Sequence, residues 1–434
     1  MNAIEQYDRA RDLDAVTRIW REVGWIDDDS EEESLAVFLD ANDVTVGMLD
    51  GEAECAVGSM AGAIRYQDVD LPLCIITAVT TSHIGRKHGF ATTMTANALR
   101  AAADAGAAVA TLGMFEQGFY DRLGFGTGSY QHRVVFDPST LAVGHVPYRQ
   151  PARVGHNDYE EIHALHRRRH RLHGGVTLDG AGAMRAELGW LKKPFGLGYR
   201  DESGRLTHAI LGETSGEHGP YKVRHIAYEE PGQLLELLRL IRELGDQVSS
   251  VQMMEPPDIQ LQDLIRSPLS RNRTTTSSPH ATGIESIAFT QLRVVDLDAC
   301  IGARRWQGQA VACNVRLADP IADLAPDPAP DPAPDPAPDP ADRADHADRA
   351  PSASWNGVGG DYILRVGDPS TISIGHDPSL PTITASIGAF SRCWFGVRPA
   401  SSLALTDDLA APSDLLAALD DALALPTPQP GWDY

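Results

Sequence analysis

Cysteine is scarce in this chain of 434 residues: five are present, scattered and odd in number, with no CxxC pair. Neither a disulfide framework nor a zinc site is suggested, so a reducing, cytoplasmic setting is the expectation. Long apolar runs are missing too, and none reaches the length that spans a bilayer. The opening Met-Asn-Ala-Ile-Glu-Gln-Tyr-Asp has neither a basic region nor an apolar core, so no secretory signal is read there. Basic residues are outnumbered, 37 Lys and Arg against 60 Asp and Glu, for a formal net charge of -23. That field repels nucleic acid and anionic lipid, which argues against both as partners. It would attract cationic small molecules such as polyamines or amino sugars, although plain solubility accounts for the charge as well.

What is present is enough for several cores, since 434 residues exceed what one domain packs. Residues 1–140 read as one α/β unit. Leu13, Val16, Ile19 and Trp20 have helical spacing, and 44–49 and 53–65 read as paired strands around a turn at 50–52. The near-continuous apolar run 71–80 suits a buried central strand. A helix at 90–105 and a strand at 108–114 follow, and 129–136 reads as the unit's last strand. A second unit spans 141–280, with a helix at 234–244 and a strand at 248–254, in an order that loosely echoes the first. A third spans 281–434, with strands at 289–295 and 362–366 and a helix at 414–423. Within it, residues 324–351 alternate Pro-Asp-Pro-Ala and then run through Ala-Asp-Arg repeats. Proline removes amide donors, so this insert is expected to be extended and disordered.

The chemistry concentrates between Val79 and Gly126. Val79, Thr80 and Thr81 end the buried strand, and Arg86-Lys87-His88-Gly89-Phe90-Ala91-Thr92 leads into the helix. A pyrophosphate needs backbone N–H donors free of side chains, and a helix N-terminus supplies them with a favourable dipole. Gly89 permits close approach, while Arg86 and Lys87 add positive charge. About thirty residues on stands Gly118-Phe119-Tyr120-Asp121-Arg122-Leu123-Gly124-Phe125-Gly126.

These two segments resemble the GNAT (Gcn5-related) N-acetyltransferases, and the second is similar to the Eis (enhanced intracellular survival) family in particular. The resemblance implies an α/β (α+β) architecture of two tandem GNAT-like domains and a sterol-carrier-protein-like C-terminal domain. The second domain lacks the cofactor loop, and the insert is foreign to the family pattern. The resemblance also implies acetyl-CoA as co-substrate without a metal, a homohexamer, and acetyl transfer to a primary amine of an aminoglycoside, a polyamine or a lysine-like acceptor. Residues 79–81 and 86–92, with Phe115 and Glu116, fall on the acetyl-CoA site. Tyr120 falls on the tyrosine that protonates the leaving thiolate. An alkyl thiol near pKa 8.5 and a tyrosine near 10 make that transfer only slightly uphill. The Tyr434 carboxylate falls on the terminal group that acts as base or amine anchor, and Asp433 would add a second anchor for the substrate.

Other features stay open. Asp27–Asp29 and Glu31–Glu33 either line an amine pocket or form a solvated helix start. His163, His166, His170 and His173 have a spacing that could present a metal face, but the interleaved arginines favour a solvated polar face instead. A non-catalytic acyl-CoA-binding protein and a lipid carrier are the alternative functions.

Overall fold

In a computed structural model of the chain, residues 2–27, 29–266, 282–324 and 355–431 are described. Most of the Pro/Asp/Ala insert, Asp433 and Tyr434 lie outside them. Among the described residues, three sheets carry the fold. The first runs in the order Ala3–Gln6, Asp43–Leu49, Glu52–Tyr66, Val69–Thr81, Val109–Gly113, Thr290–Val294 and Gly126–Thr127, with Val176–Leu178 paired beside Glu52–Tyr66. The apolar run Val69–Thr81 is central because helices cover both faces of the sheet. Val16, Ile19 and Trp20 of the helix Arg9–Glu22 are buried on one, and Phe90, Met94 and Leu99 of the helix Phe90–Asp104 on the other. The first of these helices contains the residues with helical spacing and starts before them, with Asp8 as N-cap accepting from the Arg11 amide at 3.0 Å.

The second sheet runs from Gly283–Ile287 through Gln131–Phe136, Val251–Met254, Tyr221–Tyr228, Leu206–Thr214 and Pro194–Arg200 to Ala152–Arg153. Its one parallel pair, Tyr221–Tyr228 with Val251–Met254, is joined by the helix Pro231–Glu243. That repeats the crossover Val69–Thr81, helix, Val109–Gly113 of the first sheet. The third sheet orders Thr371–Ile374, Gly360–Val366, Val311–Ala318, Thr382–Ser386 and Leu409–Ala410. The helices Leu297–Ala303, Ile387–Trp394 and Ser413–Ala422 belong to the same part of the chain.

Two strands lie in other sheets than sequence order suggests. The strand expected to close the first unit is Gln131–Phe136, and it pairs instead with Val251–Met254 and Gly283–Ile287 in the second sheet. The strand expected to open the third unit is Thr290–Val294, and it lies in the first sheet between Val109–Gly113 and Gly126–Thr127. Burial decides both placements. Val134 and Phe136 have no exposed surface in the second core, and full burial of such a side chain stabilises by ~1.5–3 kcal/mol. Alternation identifies a strand, but the sheet it joins is set by contacts distant in sequence.

The histidines also differ from expectation. The helix Tyr159–Arg168 carries only His163 and His166, and these two and His173 are buried rather than solvated. His173 donates from Nε2 to the Phe395 carbonyl at 2.9 Å and accepts at Nδ1 from the Gln67 amide at 3.1 Å, which requires the neutral ring. Among the described residues no group of His, Cys, Asp and Glu is arranged to hold a metal, and no helix is long and apolar enough to cross a membrane.

Burial depresses His166 and His173 below the ordinary histidine value. A depressed folded-state value leaves the unfolded chain binding more protons below about pH 6.5, so stability is full above that pH and declines below it. The melting temperature is expected to fall between about pH 7 and about pH 5. His173→Gln, measured by thermal unfolding across this range, should flatten the slope; an unchanged slope would assign the acid sensitivity elsewhere.

Candidate active site

The cofactor half of the site begins where two parallel strands part. Val69–Thr81 pairs with Val109–Gly113 from Leu73 to Ile76 and no further. Just beyond, Ala78 takes a left-handed φ of 54°, and the register with Glu52–Tyr66 shifts between Ala56 and Gly58. This is a bulge, which bends a strand and ends its pairing. The edge from Thr77 to Thr81 is thereby released from its neighbour and can offer backbone groups to an extended ligand. Val79 lines the resulting cleft. The Thr80 hydroxyl turns back to the Ala78 carbonyl at 3.2 Å, and that of Thr81 meets the Cys55 sulfur at 3.3 Å. These two residues therefore contribute main chain rather than side chain.

The loop that follows is held in shape. Ser82 Oγ accepts from the Gly85 amide at 2.9 Å, and the Glu22 carboxylate accepts both the His83 amide at 3.0 Å and its Nδ1 at 2.9 Å. Lys87 and Gly89 are left-handed, at φ 67° and 83°, a turn in which successive amides converge. Gly89 is the N-cap of Phe90–Asp104, and no side chain caps that helix. The first-turn amides of Phe90, Ala91 and Thr92 are left for a ligand, with exposed Arg86, Lys87 and His88 beside them. The Phe90 ring takes no part, because it is buried beneath the sheet with Cys55, Val57 and Tyr120.

The second sheet's crossover helix offers a contrast. Pro231 at its first turn has no N–H, and Gln233 Oε1 accepts the amides of Glu229 and Glu230 at 2.7 and 3.1 Å. Two carboxylates and a missing donor make that terminus unsuited to a pyrophosphate.

Tyr120 opens a single 3₁₀ turn, Tyr120–Leu123. Its ring is buried, edge-on to Phe119 at 4.9 Å and to Phe115 and Phe125 at 6.2 Å. Burial raises its phenol well above the ordinary tyrosine value, with a smaller contribution from Cys55, so the hydroxyl keeps its proton throughout the neutral range. Tyr120, Val79 and the exposed Phe115 meet in one open cleft of about 650 Å³. Glu116 is exposed and does not line it.

The opposite wall was not legible in sequence. Trp20, Trp25, Phe38 and Trp190 form an aromatic group with ring centroids 4.9–6.0 Å apart, and Trp190 donates from Nε1 to the Glu31 carbonyl at 3.2 Å. Lys222, Glu213 and Arg224 reach the same cleft from the second sheet. Trp20 reads from its spacing as an ordinary core residue, and nothing local marks Trp190 or Arg224. Of the acidic run, Glu31 borders the cleft and pairs with Lys192 at 3.1 Å. The cleft mixes Glu31, Glu187 and Glu213 with Lys192, Lys222 and Arg224, and so is not simply acidic.

The C-terminal tail lies near. The Val176 amide donates to the Pro430 carbonyl at 3.0 Å, and the buried Arg169 donates to the Pro430 and Gly431 carbonyls at 3.3 and 3.5 Å. Gly431 borders a small cavity whose wall includes Arg224, the residue that also lines the open cleft beside Tyr120.

Comparison with known proteins bears on the first unit's family and on the fold of the chain. Residues 7–128 match the family described as acetyltransferase (GNAT) domain. No curated protein matches the sequence. Among solved structures, the chain is similar to a GCN5-related N-acetyltransferase from Anabaena variabilis, at 14% identity, full coverage of both chains and a TM-score of 0.75. It is similar to an Enterococcus faecalis protein of unknown function described as a probable N-acyltransferase, at 14% identity, 98% coverage of both chains and a TM-score of 0.72. Eis1 from Mycobacterium abscessus matches at 17% identity, full coverage of both chains and a TM-score of 0.70. At these identities the likeness is one of fold. The chain thus carries a GNAT acetyltransferase domain and is an acyltransferase enzyme.

Replacing Arg86 and Lys87 together by Ala should raise the KM for acetyl-CoA roughly tenfold or more with little change in kcat, as expected of two cations placed to make charge-assisted contacts with phosphate. Unchanged saturation kinetics would remove the pair from the cofactor site.

Proposed function

We infer that the protein is an acetyl-CoA-dependent N-acetyltransferase of primary amines, built as two GNAT-like units and a sterol-carrier-like unit in the manner of the Eis family. The observation that carries this reading is the meeting of Tyr120 with the released strand edge at Val79 in one cleft. The uncapped first turn at Phe90–Thr92, with Arg86 and Lys87 alongside, fits a pyrophosphate. The edge Val79–Thr81 fits the pantetheine arm, and its amides would polarise the thioester carbonyl.

In the proposed reaction a neutral amine enters from the aromatic wall and attacks the acetyl carbon. The C–N bond forms as the C–S bond breaks, and Tyr120 gives its proton to the departing sulfur. The surplus proton on nitrogen leaves through solvent, which also restores Tyr120. Burial raises the phenol and a thiol lodged beside it alike, so the two remain matched for proton transfer. Aromatic faces at Trp20, Trp25 and Trp190 support a cationic amine before it loses its proton, by cation–π attraction. An aminoglycoside, a polyamine or a lysine-like side chain meets that description. The Tyr434 carboxylate is proposed to orient the amine, with Asp433 beside it; support comes from the tail held at Pro430 and Gly431 near Arg224. A homohexamer is proposed from the family resemblance alone.

Tyr120→Phe should lower kcat by about 10²-fold or more, with the KM for acetyl-CoA nearly unchanged, in a thiol-release assay over a panel of amines. Full turnover by this variant would remove the tyrosine from the chemistry, and no turnover with any amine would remove the acceptor class. A peptide extension after Tyr434 should cut kcat/KM for the amine by roughly tenfold or more without altering acetyl-CoA affinity. Equal activity of the extended protein would exclude the carboxylate.

A further inference from the structure

We propose that the third part of the chain sets catalytic rate by clamping the turn that carries Tyr120, with Arg293 and Gln291 as positioning residues. This rests on the reading of Tyr120 as the general acid. A single 3₁₀ turn has poor internal hydrogen bonding and little rigidity of its own. Here each end of the turn is tied to the strand Thr290–Val294. Gln291 Nε2 donates to Asp121 at 2.7 Å, one residue beyond the tyrosine. Arg293 Nη1 donates to the Leu123 carbonyl, the last residue of the turn.

Arg293 has no exposed surface, and its other nitrogen Nη2 meets Asp319 at 2.6 Å, where the carboxylate is equally buried. Asp319 is itself fixed, accepting the Val358 amide at 2.8 Å and that of Ile321 at 3.1 Å. A continuous chain of contacts thus runs from the third sheet's margin through Asp319 and Arg293 to the catalytic turn.

Packing supports the same reading. Gly124 caps the turn at a left-handed φ of 78°, and a Cβ there would lie 2.6 Å from the Ile387 methyl and 2.9 Å from Arg293 Nη1. At Gly126 a Cβ would lie 2.5 Å from the Gly388 carbonyl. The turn is therefore pressed onto the start of the helix Ile387–Trp394, and neither end can shift without disturbing that helix or the Arg293 pair. None of these groups borders the cleft lined by Tyr120. Several of them line a separate opening instead, so their reach into the Tyr120 cleft runs through the tyrosine's position, and a misplaced proton donor loses most of its effect.

The test is a double-mutant cycle on the full chain. Gln291→Met keeps the size of the side chain and removes the tie to Asp121; Arg293→Met with Asp319→Asn removes the second tie without stranding a buried charge. Each is assayed well below its melting temperature, in the wild-type and Tyr120→Phe backgrounds. In the wild-type background kcat is expected to fall roughly tenfold, with the KM for acetyl-CoA within about twofold. In the Tyr120→Phe background the same substitutions should cause almost no further loss. An equal fractional loss in both backgrounds, or no loss in the wild type, would overturn the clamp. Full activity of Tyr120→Phe alone would overturn the general-acid reading, and the clamp with it. Should the Arg293 and Asp319 variant not fold, Gln291→Met alone decides, because it leaves the buried ion pair intact.

Discussion

The first sheet is completed by a strand that sequence order places far from it. Thr290–Val294 lies between Val109–Gly113 and Gly126–Thr127, and without it these segments would have no common partner. In return Gln131–Phe136 leaves for the second sheet. The exchange binds the catalytic unit to both of its neighbours through main-chain ladders, which are less easily separated than a side-chain interface. It also brings Arg293 into a fully buried setting, where Asp319 is the carboxylate that meets it. Breaking such a buried pair by removing one partner typically costs ~3–5 kcal/mol, so the ion pair and the exchanged strand fix each other.

The two halves of the site are built in different ways. The proposed cofactor half is local: a bulge, a pinned loop and an uncapped helix start, consecutive in the chain, which offer mostly backbone groups to a ligand. The proposed acceptor half is composite. Its aromatic wall comes from the first unit's helices and Trp190, and its charged rim from the second sheet at Lys222 and Arg224. A backbone site tolerates change in side chains, whereas a side-chain wall alters selectivity with each substitution. Acetyl donor use and acceptor choice can therefore vary separately in this architecture.

That division also decides what the sequence made legible. The strand, loop and helix from Val69 to Asp104 follow from an apolar run, a glycine and helical spacing, all short-range signals, and the structure places them as read. Tyr120 was picked out by resemblance, since a lone tyrosine beside Leu123 and Phe125 carries no local mark of catalysis. Pairing of Gln131–Phe136 and Thr290–Val294 could not be read, because alternation gives a strand's faces and not its neighbours. The buried histidines misled for a related reason: arginines interleaved with them suggested solvent, but Arg169 is itself buried and satisfied by the carbonyls of His166, Val176 and Pro430. Asp433 and Tyr434 lie outside the described residues, so the sequence reading there stands as a proposal.

The exchanged strand has a consequence for how the protein comes into being. A chain emerging from the ribosome folds from its N-terminus, unit by unit. Here the first unit cannot close as it emerges, because its missing strand is made only after the whole second unit. Until then the edge of Val109–Gly113 is open, and Gln131–Phe136 must await Val251–Met254. Nascent copies therefore expose an unpaired strand edge from the making of Gly113 until that of Val294. The turn Tyr120–Leu123 likewise gains its ties to Gln291 and Arg293 only after the second unit has been made, so products of translation that stop before Thr290 lack the seat of that turn.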